Sequence, residues 1–97
     1  PWNYPLTNSF GDAIPAMAAG NAVVLKPSEI TPLTSLLMQE CMEECGLPKD
    51  VYIAAPGYGE TGAELIKHVD MVMFTGSTRT GPEAASRLSW ESGLSGL

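Results

Sequence analysis

The sequence predicts an α/β fold in which helices flank a parallel sheet, and three observations support this prediction. Mainly apolar runs at 22–25, 51–55 and 71–74 are short and unbroken, as is typical of strands in a covered parallel sheet. Other segments carry apolar residues at helical spacing. The connections are short, so strands and helices alternate, which indicates parallel strands with right-handed crossovers.

The first helix is predicted to begin near Leu6 and to end at Gly20, because glycine suits a helix C-terminus. Pro15 should bend this helix, since proline lacks the backbone N–H that a helix interior uses. Residues 22–25 then form an unbroken apolar run, and Pro27 ends the strand. We expect this strand to be buried on both faces of the sheet.

A second helix should start at Thr31 and Pro32, a cap residue followed by proline at the first helical position, and should end at Gly46. One face of this helix is marked by Leu33, Leu36, Leu37, Cys41 and Cys45. The i, i+4 spacing of the two cysteines does not suit a disulfide, which fits a reducing compartment.

Further along, the pattern predicts a turn and short helix over 59–67, a third strand over 71–74 and a helix over 78–90. His68 has no metal-ligand companions in the sequence and is expected at a helix end. No metal site is therefore predicted.

Composition excludes several classes of function. Five basic and eleven acidic side chains give a net charge of −6, without a Lys/Arg cluster that could neutralise nucleic-acid phosphates. No apolar run approaches the roughly 20 residues of a membrane span, and no signal-peptide pattern is present. The chain opens on Pro1 without an initiator methionine and closes without a capped helix, so both ends look like cuts. We expect one domain at most, in a soluble cytoplasmic protein.

The turn Lys26-Pro27-Ser28-Glu29 directly follows the first strand, at the position where open parallel sheets bind ligands. Its lysine could donate to the hydroxyls of a ribose, and its glutamate could accept from them. A simple charged turn is the alternative interpretation, and the motif taken alone favours that alternative.

Two glycine-rich segments follow the later strands. Residues 57–62 match G-x-G-x-x-G, but no acidic residue ends a strand roughly 20 positions on, so a glycine-rich turn is the alternative. Gly76 and Ser77 stand where the last helix should begin, so bare amides and a hydroxyl could bind a phosphate there. The segment lacks the lysine-serine pair of a P-loop, which disfavours an ATPase.

Trp2 and Asn3 also have two interpretations. Their residue types favour a core tryptophan and an asparagine that caps a turn. The alternative is that the Asn3 amide donates a hydrogen bond to an oxyanion.

Taken together, these segments resemble the aldehyde dehydrogenase superfamily over residues 1–81. The resemblance rests on motifs in the family's order and spacing at residues 1–5 (PWNYP), 15–21 (PAMAAGN), 24–29 (VLKPSE), 46–48 (GLP) and 74–78 (FTGST). It implies an incomplete Rossmann-like sheet, with residues 1–81 forming part of an NAD(P)-binding domain and 82–97 a helical or irregular tail outside the family pattern. Residues 59–62 and 69–74 are also similar to the succinate-semialdehyde dehydrogenase branch.

The resemblance implies a function. Enzymes of this superfamily oxidise an aldehyde to a carboxylic acid through cysteine attack, hydride transfer to a nicotinamide and hydrolysis assisted by a glutamate. By motif, Asn3 would be the catalytic oxyanion-hole amide, and Trp2 would line the cofactor site beside it. The turn of Lys26, Pro27, Ser28 and Glu29 would hold the adenosine ribose through its lysine and glutamate.

The remaining cofactor contacts are implied in the same way. Gly76 and Ser77 would contact the pyrophosphate, and Gly57 and Gly59 would lie near the adenine. Glu29 would repel a 2′-phosphate, which inclines the expected cofactor toward NAD over NADP.

The sequence also departs from the family. The Glu-Leu-Gly-Gly segment with the general base and the nucleophilic cysteine have no counterpart in it, and Glu91 does not reproduce the motif. The family has no catalytic role at the positions of Cys41 and Cys45, so the resemblance implies that both pack in the core. We therefore expect no turnover from this chain alone, and a homodimer or homotetramer for the full-length enzyme acting on a small-molecule aldehyde. Two alternatives are a stand-alone nucleotide-binding module that uses Gly76 and Ser77, and a structural fragment that binds nothing.

Overall fold

A computed structural model describes residues 1–76 and residue 82 of the chain. The helices and strands of the described residues are, in order, α1 (Pro5–Phe10), α2 (Ala13–Ala18), β1 (Val23–Leu25), α3 (Pro32–Glu44), β2 (Tyr52–Ala54) and α4 (Gly59–Ile66). The chain divides into two compact units, residues 1–58 and 59–97. No helix among the described residues is both long and apolar enough to cross a membrane.

The first unit contains a parallel pair of strands, as the sequence predicts. Val23, Val24 and Leu25 of β1 lie opposite Tyr52, Ile53 and Ala54 of β2. The ladder continues on both sides, because the Val23 N–H donates to the Val51 carbonyl over 2.7 Å and the Ala55 N–H donates to the Leu25 carbonyl over 2.8 Å. The expectation that β1 is covered on both faces is wrong here, since Val24 is 43% exposed.

The first predicted helix is two helices. α1 ends at Phe10 and α2 begins at Ala13, so the chain breaks rather than bends. Pro15 accounts for this break, because a continuous helix would need its missing N–H to donate to the carbonyl of Gly11 and would press its ring against that carbonyl. The discontinuity therefore falls within the turn that precedes the proline.

Two glycines end helices as predicted. Gly20 and Gly46 have φ angles of +94° and +102°, which L-residues with a Cβ rarely adopt. The amide after each glycine donates back into its helix: Asn21 to the Ala16 carbonyl over 3.0 Å, and Leu47 to the Met42 carbonyl over 2.9 Å. These bonds satisfy carbonyls that a helix end would otherwise leave without donors, in the Schellman arrangement.

The core of the first unit lies where α1 and β2 meet α3. Tyr52 is 1% exposed, and its hydroxyl donates to Met38 Sδ over 3.5 Å. Ser9 and the fully buried Ser35 join α1 to α3 through an Oγ–Oγ hydrogen bond of 3.1 Å. The Ser9 hydroxyl donates to the Pro5 carbonyl, so its single proton is used and Ser35 is the donor of the serine pair.

The apolar face that the sequence marks on α3 is the exposed face in this structure. Leu33 and Leu37 are 76% and 60% exposed, and Leu36 is 37% exposed. Cys41 and Cys45 are exposed free thiols, so the expectation that both pack in the core is wrong. The residues that α3 turns inward are Ser35, Met38, Gln39 and Met42. Helical spacing identified the helix, but its neighbours decided which side was buried.

The start of α3 is placed as predicted, with Thr31 at the N-cap and Pro32 in the first turn. The Thr31 side chain nevertheless makes no capping hydrogen bond. Its Oγ1 is buried without a hydrogen-bond partner among the described residues. The proline and the backbone conformation, rather than a side-chain cap, therefore define this helix start.

The second unit contains α4, which confirms the short helix predicted over 59–67. Near its end, Glu64 pairs with Lys67 Nζ over 3.2 Å and with His68 Nε2 over 3.1 Å, so His68 lies at the helix end as expected. The hydrogen bonds from His68 and then Lys67 lower the pKa of Glu64.

The third strand predicted over 71–74 is not formed, because no described strand pairs with that segment. Met71 and Met73 in it are 77% and 65% exposed. An apolar run reports a tendency to be buried, whereas a strand also requires a hydrogen-bonded neighbour. The helix predicted over 78–90 lies outside the described residues except for residue 82.

Candidate functional site

The candidate site is the end of the sheet where both parallel strands finish. Leu25 and Ala54 lie in register, and the Ala55 N–H donates to the Leu25 carbonyl. The turn Lys26–Glu29 and the segment 55–57 therefore leave the sheet at one common edge. Ligands of open parallel sheets bind at this edge, beyond the carboxyl ends of the strands.

Within the turn, Lys26 is half-buried and its Nζ donates to the Pro27 carbonyl over 2.8 Å. This bond uses one of the three ammonium donors and holds the amine close to the turn. Pro27 is buried and has a rigid φ, so it fixes the direction in which the chain leaves β1. The lysine keeps two donors for a ligand.

The other half of the turn leads into α3. The Ser28 hydroxyl accepts from the Ile30 N–H over 3.3 Å, and the Ser28 carbonyl accepts from the Thr31 N–H over 3.1 Å. The hydroxyl proton of Ser28 remains free to donate. Glu29 is exposed and makes no side-chain hydrogen bond with any residue that the structure describes. The turn thus presents an ammonium donor and a carboxylate acceptor, a pair that fits the two hydroxyls of a ribose.

The glycines assigned to the cofactor fall in different units. Gly57 belongs to the first unit and is half-buried at the edge that carries the turn. Gly59 is the first residue of α4, and Gly76 lies past the segment predicted as a third strand, both in the second unit. Ser77 lies outside the described residues. The pyrophosphate roles of Gly76 and Ser77 stay predictions.

Trp2 and Asn3 precede α1. Trp2 is 62% exposed, so the interpretation that it is a core residue is wrong for this structure. Asn3 is exposed as well, and its amide forms no hydrogen bond with a described residue, so it caps nothing in this part of the chain. The oxyanion role of Asn3 and the cofactor-lining role of Trp2 stay predictions.

Gln39 is a residue that sequence reasoning missed. Its Oε1 accepts from the Ala54 N–H over 2.8 Å, and its Nε2 donates to Glu43 Oε1 over 3.2 Å. Gln39 therefore satisfies an amide of β2 that the pairing with β1 leaves free, immediately before the candidate edge. A glutamine in an amphipathic helix carries no sequence signal for such a role. No group of three or more metal-ligating residues occurs among the described residues.

Comparison with known proteins identifies the family of this chain. Residues 1–93 match the aldehyde dehydrogenase family. This chain is an aldehyde dehydrogenase family member. It is 47% identical over 88 residues, 90% of the chain, to a protein of Mycolicibacterium smegmatis named provisionally as a succinate-semialdehyde dehydrogenase, NADP(+). It is also 46% identical over 87 residues, 88% of the chain, to Betaine aldehyde dehydrogenase 2 of Rhizobium meliloti.

Solved structures of similar proteins agree with this assignment. The aldehyde dehydrogenase chain matches PnpE from Pseudomonas sp. WBC-3 with a TM-score of 0.85 at 47% identity, over 92% of this chain and 19% of PnpE. A protein of Burkholderia cenocepacia described provisionally as an aldehyde dehydrogenase matches with a TM-score of 0.85 at 49% identity, over 90% of this chain and 18% of that protein. The parallel strands and flanking helices therefore correspond to part of the aldehyde dehydrogenase fold.

The match covers only a small part of the length of each relative. The aldehyde dehydrogenase chain spans 17% of the Mycolicibacterium smegmatis protein and 18% of the Rhizobium meliloti protein. The similarity assigns the family, whereas reaction, substrate and cofactor of the whole protein are matters for a proposal.

Proposed function

We propose that this chain forms part of the cofactor-binding region of an enzyme that oxidises an aldehyde to a carboxylic acid with a nicotinamide dinucleotide. The observation that carries the proposal is the position of the Lys26–Glu29 turn at the edge where β1 and β2 both end. Family membership supports it, and the names of similar proteins include a succinate-semialdehyde and a betaine aldehyde dehydrogenase. The dinucleotide, when bound, would accept a hydride from the substrate.

In this proposal, the turn binds the adenosine ribose. Glu29 accepts hydrogen bonds from the sugar hydroxyls, and Lys26 donates to them with the two ammonium protons that its bond to Pro27 leaves free. Such hydrogen bonds to charged groups contribute about 1.5–3 kcal/mol each. Gly57 and Gly59 leave room near the adenine, and Gly76 and Ser77 donate amides to the pyrophosphate.

We propose NAD rather than NADP as the cofactor. Glu29 is exposed at the turn, and its carboxylate would repel the 2′-phosphate that distinguishes NADP. The name of the Mycolicibacterium smegmatis relative gives NADP(+) for that protein, so the choice requires a direct test. Succinate semialdehyde as the aldehyde, Asn3 as the oxyanion-hole donor with Trp2 beside it, and assembly as a homodimer or homotetramer complete the proposal.

Calorimetric titration of the chain with NAD, NADP, ATP and AMP tests this assignment. We expect NAD to bind most tightly, and Glu29→Gln to weaken NAD about tenfold while improving NADP relative to NAD. Glu44→Gln removes another exposed carboxylate of the chain and should leave both affinities unchanged. A preference for ATP would favour a stand-alone nucleotide-binding module, and an equal loss in both variants would contradict the role of Glu29.

Turnover gives a second test. With NAD and an aldehyde, the chain should produce no NADH at an enzyme-like rate, because Cys41 lies in α3, Cys45 is its C-cap, and the sequence has no Glu-Leu-Gly-Gly segment. Aldehyde oxidation at an enzyme-like rate would show that the roles assigned to these residues are wrong.

A further inference from the structure

Cys41 in α3 and Cys45 at the C-cap of that helix form a pair of neighbouring exposed thiols. Both thiols are free and exposed, and the Cys45 N–H donates to the Cys41 carbonyl over 3.0 Å. This backbone bond places Cys45 one helical turn beyond Cys41, so their Cβ atoms lie about 5–6 Å apart on the same face. Neither thiol has a role in the proposed cofactor site.

This spacing disfavours a disulfide and suits a bridging ion. A disulfide needs Cβ atoms about 3.5–4.5 Å apart, which an intact helical turn does not allow. A soft ion held linearly between two thiolates instead separates the sulfur atoms by two metal–sulfur bonds, a span that side chains on Cβ atoms about 5–6 Å apart reach without unwinding the helix.

The number of ligands selects the type of ion. Structural zinc sites use four ligands, and no group of three or more candidate ligands exists among the described residues. Cu(I) is soft, prefers thiolate sulfur and is satisfied by two thiolates in a near-linear arrangement. Leu37 lies one turn before Cys41, so one side of the pair is apolar, whereas Glu44 beside Cys45 supplies negative charge that attracts a cation.

We propose that Cys41 and Cys45 bind one Cu(I) ion as a two-thiolate site at the C-terminal end of α3. Each thiol releases its proton to solvent, each sulfur forms one bond to the ion, and no electron is transferred. The site is independent of the Lys26–Glu29 turn, so its test does not depend on the proposed dehydrogenase function.

Competition with the chromogenic Cu(I) chelator bathocuproine disulfonate, under reducing and anaerobic conditions, tests the site in the full 97-residue chain. We expect one Cu(I) per chain and a monomeric complex. Cys41→Ser and Cys45→Ser should each lower the affinity about 100-fold, because the second thiolate then has to come from another molecule.

A variant in which one cysteine is moved tests whether the spacing of the two thiols matters, because the number of thiols stays the same. The double variant Glu40→Cys with Cys41→Ser keeps two cysteines but sets them five residues apart, on different sides of the helix. Glu40 is exposed and makes no hydrogen bond with a described residue, so the change should preserve the helix, which circular dichroism would verify. We expect this variant to bind Cu(I) as weakly as the single variants. Equal affinity in the wild type and this double variant, or a complex of two chains per ion, would overturn the proposal.

Discussion

Tyr52 is the residue whose ionisation is most directly coupled to burial in the first unit. Its ring lies beneath α3 with 1% of its surface exposed, and among the described residues its hydroxyl reaches only the weakly accepting Sδ of Met38. Burial raises the pKa of Tyr52 above the ordinary value of 10.0, because the phenolate would lose its hydration without gaining a partner. The neutral phenol therefore stabilises the folded state.

We predict that Tyr52→Phe removes part of the loss of stability at alkaline pH. A raised pKa in the folded state gives a contribution that is fully present below pH 10.0 and is lost as the pH rises through the folded pKa. Urea unfolding at about pH 8 and about pH 11 would measure it. Tyr4→Phe, at a side chain that is 64% exposed, is the matched control. If the free energy of unfolding fell as much at alkaline pH in Tyr52→Phe as in the wild type, this explanation would be contradicted.

Helix α3 links the sheet to the candidate site. Its inward face contacts α1 through Ser35 and β2 through Met38 and Gln39. The Lys26–Glu29 turn comes shortly before its N-terminus in the chain. Gln39 accepts the hydrogen bond from the Ala54 N–H, in place of the carbonyl that a third strand would supply in a larger sheet. The helix therefore holds the edge of β2 in place just before the chain enters segment 55–57.

We predict that Gln39→Ala destabilises the first unit by about 1–3 kcal/mol, because it leaves the Ala54 N–H without its acceptor. The double variant Gln39→Glu with Glu43→Gln keeps an acceptor for the Ala54 N–H and a donor in the side-chain pair, so it should restore much of the stability. Glu40→Ala, at the exposed neighbouring position, should have little effect. Urea unfolding compares the three variants, and similar values for Gln39→Ala and Glu40→Ala would count against the edge contact.

The exposed face of α3 gives a second prediction for this helix. Leu33→Gln and Leu37→Gln should each change the free energy of unfolding by less than about 0.5 kcal/mol, because both side chains are mostly exposed. Met38 lies on the inward face of α3, against Tyr52. Met38→Gln should therefore lower the free energy of unfolding by more than about 1 kcal/mol. Thermal unfolding of the three variants would reveal the reverse order if the leucines formed the core.

The chain as a whole consists of two compact units, and the sheet belongs to the first. Both strands and all the described hydrogen bonds that pair them lie within residues 1–58. The Lys26–Glu29 turn lies there as well, whereas Gly59, Gly76 and Ser77 belong to residues 59–97. The strand pair and the turn assigned to the ribose therefore lie within a single unit.

We predict that a peptide of residues 1–58 keeps the parallel strand pair. The amides of Val23 and Ala55, which donate across the pair, should be protected from hydrogen exchange in this peptide and in the full chain. The Glu29 amide, which donates to no described residue, is the unprotected reference. Loss of protection at Val23 and Ala55 only in the shorter peptide would show that the sheet depends on residues beyond 58.

Local patterns in the sequence predicted several features that the structure confirms. Gly20 and Gly46 end helices because their backbone conformation is open to glycine and costly for other residues. The parallel direction of β1 and β2 follows from the helix between them. The same reasoning placed the Lys26–Glu29 turn at the carboxyl edge of the sheet.

Other features depended on contacts between distant residues. Residue spacing did not predict which face of α3 is buried or that Cys41 is exposed. It also did not predict the hydrogen bond from Ala54 to Gln39, or that no third strand forms at 71–74. Periodicity and turn chemistry act over a few neighbouring residues, so the order, type and direction of the elements can be inferred from the amino acids alone. Burial and strand pairing require partners far apart in the chain, and only the three-dimensional packing supplies those partners.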